Sequence, residues 1–566
     1  MEPTRAPASG GRRRRRTLVA ASGIALAILG YGGLHVVASA QLRKLLPEAI
    51  KTSVGGEDAD RYVVSAEAVR ISPWLTGLTV EGLTLSHDTT GVGLASEEPA
   101  LIRSAGVQSF AVSGLRLIPL IRGKGIFISS IEIDAPEAEL YFALPAAAET
   151  SEQDAESALR GAEEEGGTGG FSPPSATLRR VRIKDGSIAL IQETELGTSL
   201  ASLHGLSLEL TDIAIDSVTV ANPARALANS RVALAFDSAR YLVEDSLYVI
   251  SATGLRADSR GSRVDIEAFS VTPTLEASEF FPRLEKRADR INLHAGPIRL
   301  EGLDFRRYFA EDALHVRTIE VEGLDLHVYA DINIPWGPRA RPCRYHMGFA
   351  EIEVPLLIDT IRVVDAGIRY SELAKGSARP GELTFEELNG TIVNITNDRG
   401  RMTAETPAVA DVRGKLFGEG EVHARLAYPL LSETLDYRIE ASVGPMEMSV
   451  FNRFARNVVG VEVRKGRLDS LYFSKVTRQG RGSGRLHMQY RDLDFRIFDR
   501  NTGKAMPWHA VAGFLGNLVV RSNNPGKPGD EPRQGKIEYT CGENDIVFFE
   551  YLVHALGSGL KGVVIG

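Results

Sequence analysis

Leu75–His87 reads LTGLTVEGLTLSH. Leu78 and Val80 alternate as one face of a β-strand requires, and so do Leu83 and Leu85, but the second pair stands one residue out of phase with the first. In an uninterrupted strand the two pairs would point to opposite faces. Gly82 stands at the slip, and glycine tolerates backbone angles closed to other residues. A bulge or tight bend there would return both pairs to one face and coil the sheet. A hairpin turn at Glu81-Gly82 is the alternative.

The pattern apolar, any, Gly, Leu, any, apolar recurs as VSGLRL (Val112–Leu117), LHGLSL (Leu203–Leu208), LEGLDF (Leu300–Phe305) and VEGLDL (Val321–Leu326). It belongs to a longer unit, seen in VRTIEVEGLDLHVY (Val316–Tyr329), IDTIRVVDAGIRY (Ile358–Tyr370), LRRVRIKDGSIAL (Leu178–Leu190) and ISSIEIDAPEAELY (Ile128–Tyr141). Each has an alternating strand, an Asp or Gly near a bend, and a second alternating strand. The spacing is too irregular for a tight solenoid. Arg317, Glu320, Asp359 and Arg362 fall on the outward positions, so the pattern predicts a sheet with one wet face and one apolar face.

The chain has 566 residues, more than one compact core accommodates. Apolar content of 43% and charge of 24% describe an ordinary folded protein, and a net charge of −8 gives no electrostatic reason to expect nucleic acid. The two cysteines, Cys343 and Cys541, form no metal motif; a bridge between them would close a long loop, and two free thiols are an equal reading.

GRRRRR ends at Arg16, and no charge follows until Arg43. The intervening TLVAASGIALAILGYGGLHVVASA is about the 20 residues that a helix needs to cross a bilayer. The arginines place residues 1–16 in the cytoplasm and the body beyond Gln41 outside it. Ala38-Ser39-Ala40 leaves a cleaved signal peptide as the alternative to a retained anchor at 17–40. QLRKLLPEAIKTSV, from Gln41, has helical spacing, and strand texture sets in from Arg61 onward. The limits drawn are 41–145 for the first β region, 146–176 for an acidic, Gly-rich loop too poor in large apolar residues to order itself, 177–354 for further β repeats, and 355–566 for the C-terminal region. PMEMSVFNRFARNVVG and DIVFFEYLVHALGSGLKGVVIG interrupt the strand texture with helical spacing. The latter predicts a C-terminal amphipathic helix that either caps the open end of the sheet or meets a membrane or partner.

Catalytic signatures are missing: there is no HExxH, GxSxG, Walker A loop or GxGxxG. Cys343 and His346 have no second ligand pair, and Asp492 and Asp494 read as one solvated face of a strand. No cofactor, metal or enzymatic activity is expected.

IDTIRVVDAGIRYSELAKGSARPGELTFEELNGTIVNITN (Ile358–Asn397) resembles the shared segment of AsmA-like proteins, the bacterial envelope group related to TamB. The matching features are Tyr370–Glu372, Pro380–Phe385 and Asn394–Asn397, with similar texture in GVEVRKGRLDSLYF (Gly460–Phe473), YRDLDFRI and the closing RSNNP…FFEYLVHALGSGLKG. The resemblance covers roughly residues 355–566; the N-terminal half shares only the architecture of one anchor followed by β repeats. It implies an elongated, strongly curved, repetitive β-sheet forming an open groove, carried into the periplasm on an inner-membrane helix. It further implies carriage of phospholipid or another acyl lipid toward the outer membrane, with an outer-membrane partner protein at the far end. A non-catalytic envelope scaffold or assembly factor with a closed core is the alternative. On the groove reading, Leu78, Val80, Leu83, Leu85, Ile319, Val321, Leu324, Leu326, Ile361, Val363 and Ile368 line the apolar face.

Overall fold

A computed structural model of the chain describes residues 39, 41, 62–72, 74, 76–87, 101–116, 126–142, 176–192, 199–215, 223–243, 247–337, 347–497, 521–542 and 548–565. The anchor expected at 17–40, save Ser39, and the acidic loop up to residue 175 lie outside them, as does the helical stretch from Gln41 apart from that residue itself. No helix among the described residues is long and apolar enough to cross a membrane. The protein is mainly β and divides into two compact units, residues 1–231 and 232–566.

The first unit holds β1 (Tyr62–Ser65), β2 (Ala68–Ile71), β3 (Gly77–His87), β4 (Leu101–Ser113), β5 (Ile126–Phe142), β6 (Ala176–Gln192), β7 (Ser199–Ile215) and α1 (Pro223–Asn229). β1 and β2 both lie antiparallel to β3, which continues antiparallel through β4 to β5. β5 and β6 run parallel, and β7 returns antiparallel.

Gly82 lies inside β3, so the hairpin alternative is set aside. Its φ is +57°, and a Cβ there would overlap the Glu67 side chain. No residue is inserted: Val80 faces Phe110 and Leu83 faces Val107 in one unbroken register. The feature is a bend shared by neighbouring strands. Ala135 (φ 45°) and Asp185 (φ 51°) stand abreast on the parallel β5–β6 pair, with Gly205 (φ 67°) beside them on β7. The same left-handed step, a crease in the strand, thus recurs on β3, β5, β6 and β7, and β3 reverses its phase there. Val80 and Leu85, five residues apart, are 1% and 7% exposed, as the phase reversal requires.

The second unit begins with β8 (Arg231–Leu242), β9 (Tyr248–Asp258), β10 (Arg263–Ile266), β11 (Ala268–Pro273), α2 (Ala277–Phe280), β12 (Arg290–Ala295), β13 (Ile298–Glu301), α3 (Phe305–Glu311), β14 (Leu314–Glu322), β15 (Asp325–Asp331) and α4 (Met347–Ala350). It continues with β16 (Leu356–Leu373), β17 (Gly381–Thr396), β18 (Ala408–Leu416), β19 (Gly420–Tyr428), β20 (Tyr437–Val443), β21 (Met446–Glu447), α5 (Asn452–Val458), β22 (Val461–Arg478), β23 (Arg481–Ile497), β24 (Gln534–Thr540) and α6 (Phe548–Val564). β10/β11, β13/β12 and β14/β15 are each one strand's path broken by a bend. β14 and β15 both run parallel to β16. The crease recurs: Gly323 (φ 58°), Asp365 (φ 52°) and Glu387 (φ 52°) stand across successive paths, and Gly254 (φ 62°) stands on β9. Asn389 Oδ1 accepts from the Asp365 amide at 3.1 Å, satisfying a backbone group that the bend takes out of the ladder.

The largest core lies where α6, α5 and the 3-10 turn Met448–Phe451 pack on β19–β24. Leu468 and Leu486 are 1% exposed there, and Tyr551, Ala555 and Val563 of α6 are fully buried. The cap reading of the C-terminal helix is the one the structure bears out. Cys541, just after β24, is disulfide-bonded, which sets aside the reading of two free thiols.

Candidate functional site

Residues opposite one another across paired strands project to the same face, so the registers decide what lies side by side. In the first unit one row runs Val80, Phe110, Ile133, Ile183, Leu208. A second runs Leu78, Val112, Ile131, Val181, Leu210, and beyond the crease a third runs Leu85, Ala105, Ala138, Ile188, Leu203. In the second unit Val264, Leu300, Ile319, Ile361, Ile392, Ala410, Leu426 and Ile439 stand in line across eight strands. Next to it run Ile298, Val321, Val363, Gly390 and Val412, and past the crease Val271, Leu293, Leu326, Ile368, Phe385 and Leu416.

The intervening positions carry a charged ladder of Arg256, Asp265, Arg299, Glu320 and Arg362. Arg299 donates to Glu320 at 2.8 Å and Arg362 at 3.1 Å. On the first unit Arg182 donates to Glu209 at 2.8 Å, and Lys184 stands 3.2 Å from Asp134. The expected division into a wet and an apolar face therefore holds in both units.

Of the predicted apolar positions, Val80 and Leu85 are buried, while Leu78, Leu83, Ile319, Val321, Leu324, Leu326, Ile361, Val363 and Ile368 are half-buried. All but Leu83 and Leu324 fall in the rows above. Leu83 pairs with Val107 beside the crease; Leu324 lies between β14 and β15, where its carbonyl accepts from Gly367 N at 2.7 Å. The face is not uncovered throughout. Ile319 packs toward Leu303, Val316 and Phe305 beneath α3, and Phe385 and Leu416 run into the core under α5 and α6. Between those covers, Ile298, Val321, Ile361, Val363, Leu326 and Ile368 belong to no buried cluster among the described residues.

At one end the apolar face turns polar. Tyr370 and Glu372 follow Ile368 at two-residue steps on β16 and share its face; the Tyr370 hydroxyl donates to Glu372 at 2.9 Å. Arg287 and Asp289, just before β12, and Glu550 of α6 gather near them. Arg287 Nη1 stands 2.9 Å from Glu550 Oε1, its Nε stands 3.8 Å from Asp289 Oδ1, and its guanidinium lies 4.4 Å over the Trp336 ring. Burial pushes the carboxyls of Asp289 and Glu372 above the usual carboxylate range, with Arg287 partly opposing it in both cases and the Tyr370 hydrogen bond opposing it at Glu372. Burial likewise raises the Tyr370 phenol. A second buried cation, Lys475, donates to the Tyr437 hydroxyl and lies 3.9 Å over the Tyr551 ring.

Sequence reasoning passed over Arg287, Asp289, Glu550 and Lys475. They are ordinary charged residues in their own segments, and only folding brings them onto an apolar face. The Asn394–Asn397 stretch ties neighbouring backbone together. The Asn394 amide donates to Thr406 O at 2.7 Å, and the Asn397 amide to Ile352 O and Val354 O, each at 2.8 Å. No protein-family model matches the chain, and no curated protein does.

Proposed function

We propose that the protein is an AsmA-like carrier anchored in the bacterial inner membrane, whose periplasmic body shields phospholipid, or another acyl lipid, on its way toward the outer membrane. The apolar face of each unit is a stretch of wall of an elongated, curved groove. The observation that carries this reading is the long lateral apolar row that stays half-buried between its covers while the opposite face is laddered with charge. Acyl chains laid on such a face exchange one apolar environment for another. They avoid about 0.8 kcal/mol of hydration cost per CH₂ group. The disulfide at Cys541 suits an oxidising compartment such as the periplasm. Supporting outer-membrane biogenesis, with a partner protein at the outer membrane, follows from the resemblance.

A closed, non-catalytic envelope scaffold is the second reading, favoured by the seal that α5 and α6 place over β19–β24. Photo-crosslinkers at Val321 and Val363, compared with Arg299 and Arg362 on the charged face, separate the two. The carrier reading expects phospholipid captured from the first pair. Capture only from the second pair, or no lipid by mass spectrometry, rejects it.

A further inference from the structure

Arg287 is 5% exposed at its side chain, yet beyond the ion pair with Asp289 and the Trp336 ring only Nη1 has a partner at hydrogen-bond distance, Glu550. Among the described residues Nε and Nη2 meet no hydrogen-bond partner, and neither do Asp289 Oδ1 and Glu550 Oε2. Leaving such atoms unmet is costly: a buried charged donor or acceptor without a partner forfeits more than a neutral group does. The cluster holds idle donors on a guanidinium and idle acceptors on carboxylates, side by side, at the end of the apolar rows. A simple anion does not suit it, because Asp289, Glu372 and Glu550 surround the single guanidinium. A simple cation does not suit it either, because Arg287 occupies the centre. A group carrying both an acceptor anion and a donor cation meets both sets of atoms. The apolar face that leads to the cluster through Ile368 and Tyr370 would hold the chains attached to that group.

We propose that this cluster seats the zwitterionic headgroup of an aminophospholipid, the phosphate on Arg287 and the ammonium on the carboxylates of Asp289 and Glu372. Glu550 is then the internal counter-ion of Arg287, which the phosphate replaces. The Glu550 side chain therefore swings off the arginine as lipid arrives, while Tyr551, Ala555 and Val563 keep α6 on the sheet. This inference rests on the carrier reading and adds a headgroup preference to it.

The test uses the full chain incubated with vesicles of equal phosphatidylethanolamine and phosphatidylglycerol, followed by mass spectrometry of the recovered bound lipid. The expected result is enrichment of phosphatidylethanolamine by about tenfold, the factor that one added charge-assisted hydrogen bond supplies. Arg287→Leu should bring the bound ratio to that of the vesicles. Glu550→Gln keeps the arginine and removes its internal competitor, so phosphatidylethanolamine loading should rise; this variant keeps the inference testable if Arg287→Leu does not fold. Glycerophosphoethanolamine, which lacks chains, should compete with the lipid, which separates recognition of the headgroup from shielding of the chains. Bound lipid in the vesicle ratio, unmoved by Glu550→Gln, overturns the headgroup site and leaves the carrier reading standing. Absence of any bound lipid overturns both.

Discussion

Substitution of Gly323 isolates the energetic basis of the crease. Its φ is +58°, and among the described residues the only heavy atom near a Cβ built there is Gly296 O at 3.4 Å, an ordinary contact. A side chain therefore meets space, and what remains is the backbone strain of the left-handed region. That strain is about 1–2 kcal/mol for alanine. Asparagine tolerates the region better, so Gly323→Asn should lose less than about 1 kcal/mol; Gly323→Val, β-branched, should lose more than alanine does. On the adjacent path Asp365 already occupies the same region at φ 52°, so Asp365→Gly should be neutral or stabilising. Urea unfolding of the full chain, followed by the circular dichroism of the strands, reads these differences. At a slope of about 3 kcal/mol per molar, 1.5 kcal/mol moves the midpoint by about 0.5 M. Hydrogen exchange of β14–β16 then shows whether the loss is local. Equal midpoints for the asparagine and valine variants would refute the reasoning, because they would mean that the left-handed backbone at this position is not what the glycine supplies.

Ala135 is an alanine held at φ 45° on the crease of the first unit, so Ala135→Gly should raise the thermal midpoint, by the equivalent of about 1 kcal/mol. Val363→Arg places a charge on the half-buried apolar row and should abolish lipid retention while leaving the far-ultraviolet spectrum of the strands intact. Gly535 of β24 lies against Gly559 of α6 with no room for a Cβ. Gly535→Ala should therefore lift α6, at about 1–3 kcal/mol, and speed its proteolysis. Asp289 and Glu372 have carboxyls raised by burial, so the folded state holds their protons more tightly than the unfolded chain does. Their penalty is absent below the ordinary carboxylate range and grows as pH rises from there through the raised values. Thermal stability measured from about pH 4 to pH 8 should decline through that window, and Asp289→Asn with Glu372→Gln should flatten the decline.

The amino-acid order was enough to show a two-faced sheet that bends at Gly82, because strand side chains alternate with period two and any change of phase leaves a visible mark. The same marks at Asp185 and Asp365, and at Asp134 beside Ala135, were legible as bends, whereas Glu387 gives no local sign of a left-handed backbone. The helical spacing of residues 548–564 was equally plain, but not what the helix covers, since an amphipathic face names no partner. The apolar rows needed the registers: that Ile319 meets Ile361 and then Ile392 depends on which strands pair and on their offset, a choice made by the whole sheet at once. The polar end of the face needed more still. Arg287 and Glu550 lie far apart in the chain and become 2.9 Å neighbours only when α6 crosses the apolar side of the second unit. Burial, which gives that pair its idle atoms and shifted carboxyl neighbours, is a property of the packed chain and of no residue alone.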